Sequence, residues 1–460
     1  MKNHAIDIVI GVIPFLLYIA LSQFEAKYNA LDLYEKKCID AKGRRKKRRI
    51  KWSSVCKRIS DKQFMRMFRM TRECFVELCS KIITSVGEKE FKSESYIDAF
   101  LLGKDSMFMA HEKTSGGYIS GETKLGITVR ILAGGDVNDL GVIFDIAPKH
   151  CNEIMLRVLL VWVNKSKIGG INIYNYLADD RAMKTTSEGF SKRSDGILKG
   201  AIGALDGWLV RIQRPSLWRD GVLNVTSFFS RKGFYALNVQ VIVDDKKRVL
   251  WVLYSHKGGS HDSSSFRATR LYDHLKTISS KLLEKGYFIL GDSAYCIKSF
   301  LLPPYDNAQP RSQDDDFNFY HSSARITVEC AFGEIDMRWG IFWSRLNFSL
   351  ENTAIIIEGA MRLHNYLVDY RETNKDINHL TYERELYQSD ITHSHAMPVQ
   401  TGTDLGRPQG NITNDERMDR IKGMVIRDGI SQQLADLDMH RKTKHWKCNT
   451  SSHTFSLTDN

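Results

Sequence analysis

No Cys-x-x-Cys pair occurs in the 460 residues; the eight cysteines stand apart at 38, 56, 74, 79, 151, 296, 330 and 448. That spacing excludes a zinc ribbon and offers no disulfide framework, so they read as reduced intracellular thiols, mostly core filler. Long apolar runs are scarce too. Ile8–Leu21 is apolar over 14 residues but is interrupted by Pro14, which is short for a bilayer span. Lys2 is the only Lys or Arg before it, and no clear small-x-small cleavage site follows. The expectation is a segment packed on the body of the protein, with no stable membrane association. Internal repeats and low-complexity tracts are absent, which argues against a solenoid.

Charge of both signs is present, and it is unbalanced. Lys and Arg number 66 against 54 Asp and Glu, a formal net charge of +12. Such a balance suits a polyanionic partner but says nothing about fold. The length allows about three domains, and an apolar content of 42% is enough for a sizeable core. Arg44, Arg45, Lys46, Lys47, Arg48 and Arg49, with Lys51, put seven positive charges into eight residues. A run like this repels itself and stays solvated, the condition a nuclear localisation signal also needs. A nuclear protein is expected, with residues 1–50 holding the apolar segment and this run.

Residues 51–199 read as helical. Between Asp61 and Thr84 apolar residues recur at three- and four-residue spacing, a helical pattern with a core-facing stripe. Lys124–Ala133 predicts a helix stopped by Gly134-Gly135. Asp136 is placed to cap a short helix over Val137–Phe144. Pro148 opens a third helix to about Val163. Its start carries Lys149, His150 and Asn152, so the last two helices suit a helix-turn-helix whose second helix meets DNA. An ordinary helical hairpin fits the pattern equally well. Ser166–Lys199 reads as a linker with surface loops.

From Gly200 the texture changes to strands. Leu205-Asp206-Gly207 puts an acid inside an apolar run. Leu237, Val239, Val241 and Val243 alternate with a period of two. Asp244–Lys247 makes a turn, and Val249–Tyr254 returns. A helix follows Gly258–Asp262. Phe288-Ile289-Leu290 then reads as a strand buried on both faces, delivering Asp292 to its end. Asp314-Asp315-Asp316 reads as a solvated loop, with a long helix starting near Ser322 and carrying Glu329 beside its apolar face. A helix over Thr353–Tyr370 closes this region. Residues 371–460 read as a polar, flexible tail. His440, His445, Cys448 and His453 match no strong zinc spacing.

Four acids thus stand at meaningful points: Asp206, Asp262, Asp292 and Glu329. Singly, each has an ordinary explanation. Asp206 and Asp292 suit turns, Asp262 a helix cap, and Glu329 a surface pair with Arg325. Jointly they follow a three-strand meander, a helix, a strand and further helices. That is the order of an RNase H-like α/β core, a mixed sheet with flanking helices, here over 200–370 and preceded by the all-α region. Converging carboxylates repel one another without a cation, so the cluster predicts Mg²⁺ or Mn²⁺, hard ions that prefer oxygen ligands. Arg214, Arg231, Lys232 and Arg325 are the candidates for phosphate contacts.

The blocks Ala204-Leu205-Asp206-Gly207, Gly259-Ser260-His261-Asp262-Ser263, Leu290–Tyr295 with Leu302-Pro303-Pro304-Tyr305, and Arg325–Gly333 resemble the signature blocks of Harbinger-type DDE transposases and the nucleases derived from them. Leu363–Leu367 resembles that family's closing helix. Trp208, Ala294 and Cys330 depart from its usual residues, and no acid is lost. The resemblance implies a metal-dependent DNA endonuclease or transposase with Asp206, Asp292 and Glu329 as catalytic triad and Asp262 as a further metal ligand. It also implies a separate Myb-like DNA-binding partner. The rival reading is a non-catalytic DNA-binding or scaffold protein on the same fold.

Overall fold

A computed structural model of the chain describes residues 50–87, 119–165, 167–374 and 413–441. The basic run at 44–49 and the apolar segment at 8–21 lie outside them. Among the described residues no helix is long and apolar enough to cross a membrane.

Helices α1 (Trp52–Arg58), α2 (Asp61–Phe68) and α3 (Arg72–Gly87) open the described chain. The stretch read as helical from Asp61 to Thr84 forms two helices. Arg69 takes a left-handed conformation, φ 58°, and ends α2; the chain restarts at Arg72. Ser60 and Gln63 close a reciprocal capping box at the start of α2. Trp52 stacks on Phe75 at 4.8 Å and packs against Phe64, Phe68 and Phe144. Gly126 makes room for that indole, because a Cβ there would lie 2.3 Å from the ring.

The three helices expected next are present as α4 (Gly121–Leu132), α5 (Val137–Phe144) and α6 (Pro148–Lys165). Asp136 caps α5 by accepting the Asn138 N–H at 2.7 Å. The α6 face of Cys151, Ile154, Met155, Val158 and Trp162 is wholly buried. The expected linker at 166–199 instead holds α7 (Ile173–Ala178) and α8 (Asp180–Arg193). Asn172 and Asp179 cap them, and Ile173, Leu177, Met183 and Phe190 supply the buried contacts.

The sheet has five strands: β1 (Ala201–Arg211), β2 (Ala236–Val243), β3 (Val249–Lys257), β4 (Phe288–Leu290) and β5 (Leu301–Leu302). Their spatial order is β3-β2-β1-β4-β5. The β1–β2 and β2–β3 pairs are antiparallel, whereas β1–β4 and β4–β5 are parallel. This mixed α/β sheet fits the RNase H-like expectation. Alternation along each strand divides the core between two faces. Ala204, Val241, Phe288 and Leu290 face a large cluster shared with α2–α6, α12 (Gln313–Arg338) and α13 (Leu350–Asn374). Ile202, Ile242 and Ile289 face a smaller one. The latter includes residues of α9 (Asp262–Arg267), α10 (Arg270–Thr277) and α11 (Ser279–Glu284). Helix α6 packs on α13 as well as α4, so the helical region shares one core with the sheet.

Two expectations are corrected at the C-terminal side. Helix α12 begins at Gln313, capped by Ser312, so the acidic triplet is its first turn and not a loop. Acids there suit the positive helix end; Asp316 is buried and accepts from the Arg441 N–H at 2.5 Å. The expected flexible tail contains α14 (Asn414–Asp436), which packs on α12 and β5.

Candidate active site

The register of two parallel strands builds the site. Ala204 of β1 pairs with Leu290 of β4. Two residues on stand Asp206, on the Ala204 face of β1 by the period of two, and Asp292, just past the end of β4. That face is covered by α12, which brings Arg325 and, one turn later, Glu329. Arg325 Nη1 donates to Asp206 Oδ2 at 3.3 Å, and its Nη2 donates to Glu329 Oε1. Trp208, next on this face of β1, stacks on Phe332 of α12 at 5.8 Å and meets Phe342 edge-on at 4.9 Å.

Asp262 reaches the cluster from the start of α9. Its Oδ1 accepts Asn238 Nδ2 at 2.7 Å and Gln240 Nε2 at 2.9 Å. Tyr295 Oη donates to Gln240 Oε1 at 2.6 Å, fixing which way that amide points. Gly207 makes the approach possible, since a Cβ there would lie 2.4 Å from Asp262 Oδ1. His261, not Asp262, is the cap residue of α9.

Electrostatics follow from this convergence. Burial and the Asp292 and Asp262 charges push the Asp206 carboxyl up to about 7, against the pull of Arg325 and the Gly207 N–H. Burial and Asp262 raise Asp292 to about 6, opposed by Arg325, the Ala294 N–H and Arg231. Charged Arg325 is itself favoured by Asp206, Glu329 and Asp292 despite its burial. Asp262 and Asp292 thus lie near enough to act on Asp206, and Glu329 is linked to Asp206 through Arg325.

The donor set is all oxygen and negatively charged, which suits a hard divalent cation. Acids held this far above the usual carboxylate range fit a centre that gains a positive ion. As arranged, no group of three His, Cys, Asp or Glu among the described residues is set to hold a metal ion. The guanidinium of Arg325 lies between Asp206 and Glu329 and is the local positive charge. Arg325, a candidate for phosphate contacts, has both its terminal nitrogens engaged by carboxylates.

The other basic candidates divide. Arg231 and Lys232 are exposed, and Arg231 lies near enough to Asp292 to act on its ionisation. Arg214 is exposed beyond the far end of β1. Lys149, His150 and Asn152 lie on the first turn of α6, which packs chiefly on α4 and α13, not on the acid-bearing strands. His150 Nε2 is 3.9 Å from Glu153. Sequence reasoning missed Asn238, Gln240 and Tyr295. The first two had a signal: polar residues at i and i+2 in an otherwise apolar strand, now buried.

Residues 205–365 match the family described as the DDE superfamily endonucleases. The ALP1-like protein of Arabidopsis thaliana is 21% identical over 405 residues, covering 81% of this chain and 86% of that protein. HARBI1 of Rattus norvegicus, by its name a candidate nuclease, is 25% identical over 203 residues, 43% of this chain and 53% of its own length. Its Homo sapiens counterpart is 22% identical over 176 residues, spanning 47% of that protein. No solved structure matches the chain. The acid-bearing sheet thus lies in a DDE superfamily endonuclease domain. The chain is similar to the ALP1-like and HARBI1 proteins, and its family match is confined to residues 205–365.

Proposed function

We propose that this protein is a divalent-metal-dependent endonuclease that cuts DNA at the Asp206–Asp292 cluster. The observation that carries the reading is the Ala204–Leu290 register, which leads two half-buried acids, Asp206 in β1 and Asp292 just past β4, to the same end of neighbouring parallel strands. Asp206 and Asp292 would hold the cation, with Asp262 and Glu329 as further ligands. When bound, Mg²⁺ or Mn²⁺ neutralises charge developing on the oxygens of the attacked phosphodiester. The protein's own groups prepare that step. Asn238 and Gln240 fix the Asp262 carboxylate. Arg325 keeps Asp206 and Glu329 oriented. Arg231, exposed beside Asp292, suits a contact with the neighbouring phosphate. Strand transfer by the freed 3′-OH is the further step assigned to the same site.

Lys149, His150 and Asn152 would contact DNA as the start of a recognition helix. Import through Arg44–Arg49 and a Myb-like partner belong to the same proposal. A fluorescent fusion with Arg44–Arg49 changed to Ala should leave the nucleus. The direct test is cleavage of supercoiled DNA in Mg²⁺ or Mn²⁺. D292N is expected to abolish cutting and to retain DNA binding. Cleavage that survives the change sinks the site assignment. A wild-type protein that binds DNA and never cuts it supports the scaffold reading instead.

A further inference from the structure

The connection between β1 and β2, residues 212–235, carries a surface with no role so far. Trp218 is 97% exposed, Leu223 86% and Leu217 51%. The backbone beneath them is pinned. Gln213 Nε2 donates to Phe348 O at 3.1 Å, and the Leu350 N–H donates to Asp220 Oδ1 at 3.0 Å. Ile212 bridges to Leu346. The apolar side chains are therefore held outward by an anchored turn. A cluster of this kind in water marks a binding surface.

Charge indicates the partner. Arg214, Arg219, Arg231 and Lys232 are exposed on the same connection. Its one acid, Asp220, has a buried side chain paired with Arg219 at 2.7 Å. The connection therefore carries a net positive charge together with an exposed aromatic. Phosphate with a stackable base complements that combination. Arg231 borders the acid cluster, and the strand from Asp206 to Arg211 extends about 17 Å at the usual rise. That is roughly five steps of a DNA strand, so one bound molecule can touch both regions.

We propose that this connection is a DNA wedge: Trp218 stacks on an unpaired or unstacked base, Leu217 and Leu223 flank it, and the arginines hold the adjoining phosphates. The inference rests on the DNA-cleavage reading and narrows its substrate to duplexes carrying an unpaired base or a readily distorted step. Apolar wedges of this sort trade base stacking for protein contact.

The test uses the full chain in EDTA, so that binding is read apart from cleavage. The probes are a duplex with 2-aminopurine in a single-base bulge and the same duplex fully paired. Wild type should prefer the bulged probe and quench its fluorescence. W218A should lose the quenching and weaken on the bulged probe by roughly five- to a hundredfold, with unchanged affinity for paired duplex and an unchanged melting curve. W218F should retain most of the preference. Equal binding of both probes by wild type overturns the proposal, as does a W218A protein indistinguishable from it. A W218A protein that instead falls from oligomer to monomer also overturns it, because the patch is then an interface between copies. If wild type never cuts DNA yet W218A loses stacking, only the nuclease reading falls. If cutting persists and W218A binds normally, only the wedge falls.

Discussion

A carboxyl pushed upward does not by itself mark a site. Asp244 is driven to about 7 by burial just as Asp206 is. Yet Asp244 lies in the β2–β3 turn, accepting the Lys246 and Arg248 N–H groups, and the acid beside it is its sequence neighbour Asp245. Asp206 differs because its acidic neighbours arrive from β4 and α9. The sign of the effect is definite. A carboxyl whose folded pKa is raised favours the protonated fold, so its contribution is full below about pH 4 and is lost as pH rises toward 7. In EDTA, D206N should therefore exceed wild type in stability at about pH 8 by roughly 1–3 kcal/mol, with the gap closing near pH 4. Thermal melts at the two pH values measure it; a D206N protein less stable at the higher pH contradicts the account. R325Q works the other way. It leaves buried acids without their cation, and should cost about 2–4 kcal/mol in EDTA, partly regained on adding Mn²⁺. Melts with and without the ion decide this.

At the scale of elements, the strands of the site were legible and the supports were not. Period-two alternation located β2, and the apolar run before Gly291 located β4. Both signals come from side chains buried on the strand itself. The acids were legible because β1 and β4 deliver them at fixed positions. Helix α8 escaped notice because few of its residues are apolar, and its stability comes from caps and a few buried contacts. The start of α12 was hidden by three consecutive acids, which favour a helix N-terminus as much as a loop. Helix α14 depends on distant partners: Asp419 accepts from Ser299, and Arg427 lies over the Tyr305 ring at 3.8 Å. Gly423 seats it, because a Cβ there would lie 2.5 Å from the Lys298 carbonyl oxygen. G423A should weaken docking by about 1–3 kcal/mol, raising hydrogen exchange across 414–436 while β1 and β2 stay protected. Uniform exchange in both regions argues against a separately docked helix. Gly207 is the corresponding test inside the site. G207A should displace Asp262 and lower cleavage at least tenfold with a smaller change in DNA affinity, read from cleavage rates and gel shifts.

For the whole molecule, the continuous core from α2 through the sheet to α13 means that the helical region and the endonuclease domain are packed as one body. DNA held at the acids and at the start of α6 would meet a single rigid surface. Removing one phosphate-binding side chain should then lower the salt dependence of binding by about one unit of slope. Lys149→Ala and Arg231→Ala should each do so, additively in the double variant. An unchanged slope removes that residue from the interface. Net charge suits such a partner, and the strand register brings Asp206 and Asp292 to one end of the sheet. The most direct measurement of the central claim is calorimetric titration of Mn²⁺ into the full chain at about pH 7, comparing wild type with D292N and with D244N as a control whose carboxyl is also pushed upward. Wild type and D244N should bind the ion alike, and D292N should lose at least tenfold in affinity. If D292N binds Mn²⁺ as tightly as wild type, Asp206 and Asp292 do not form the metal centre.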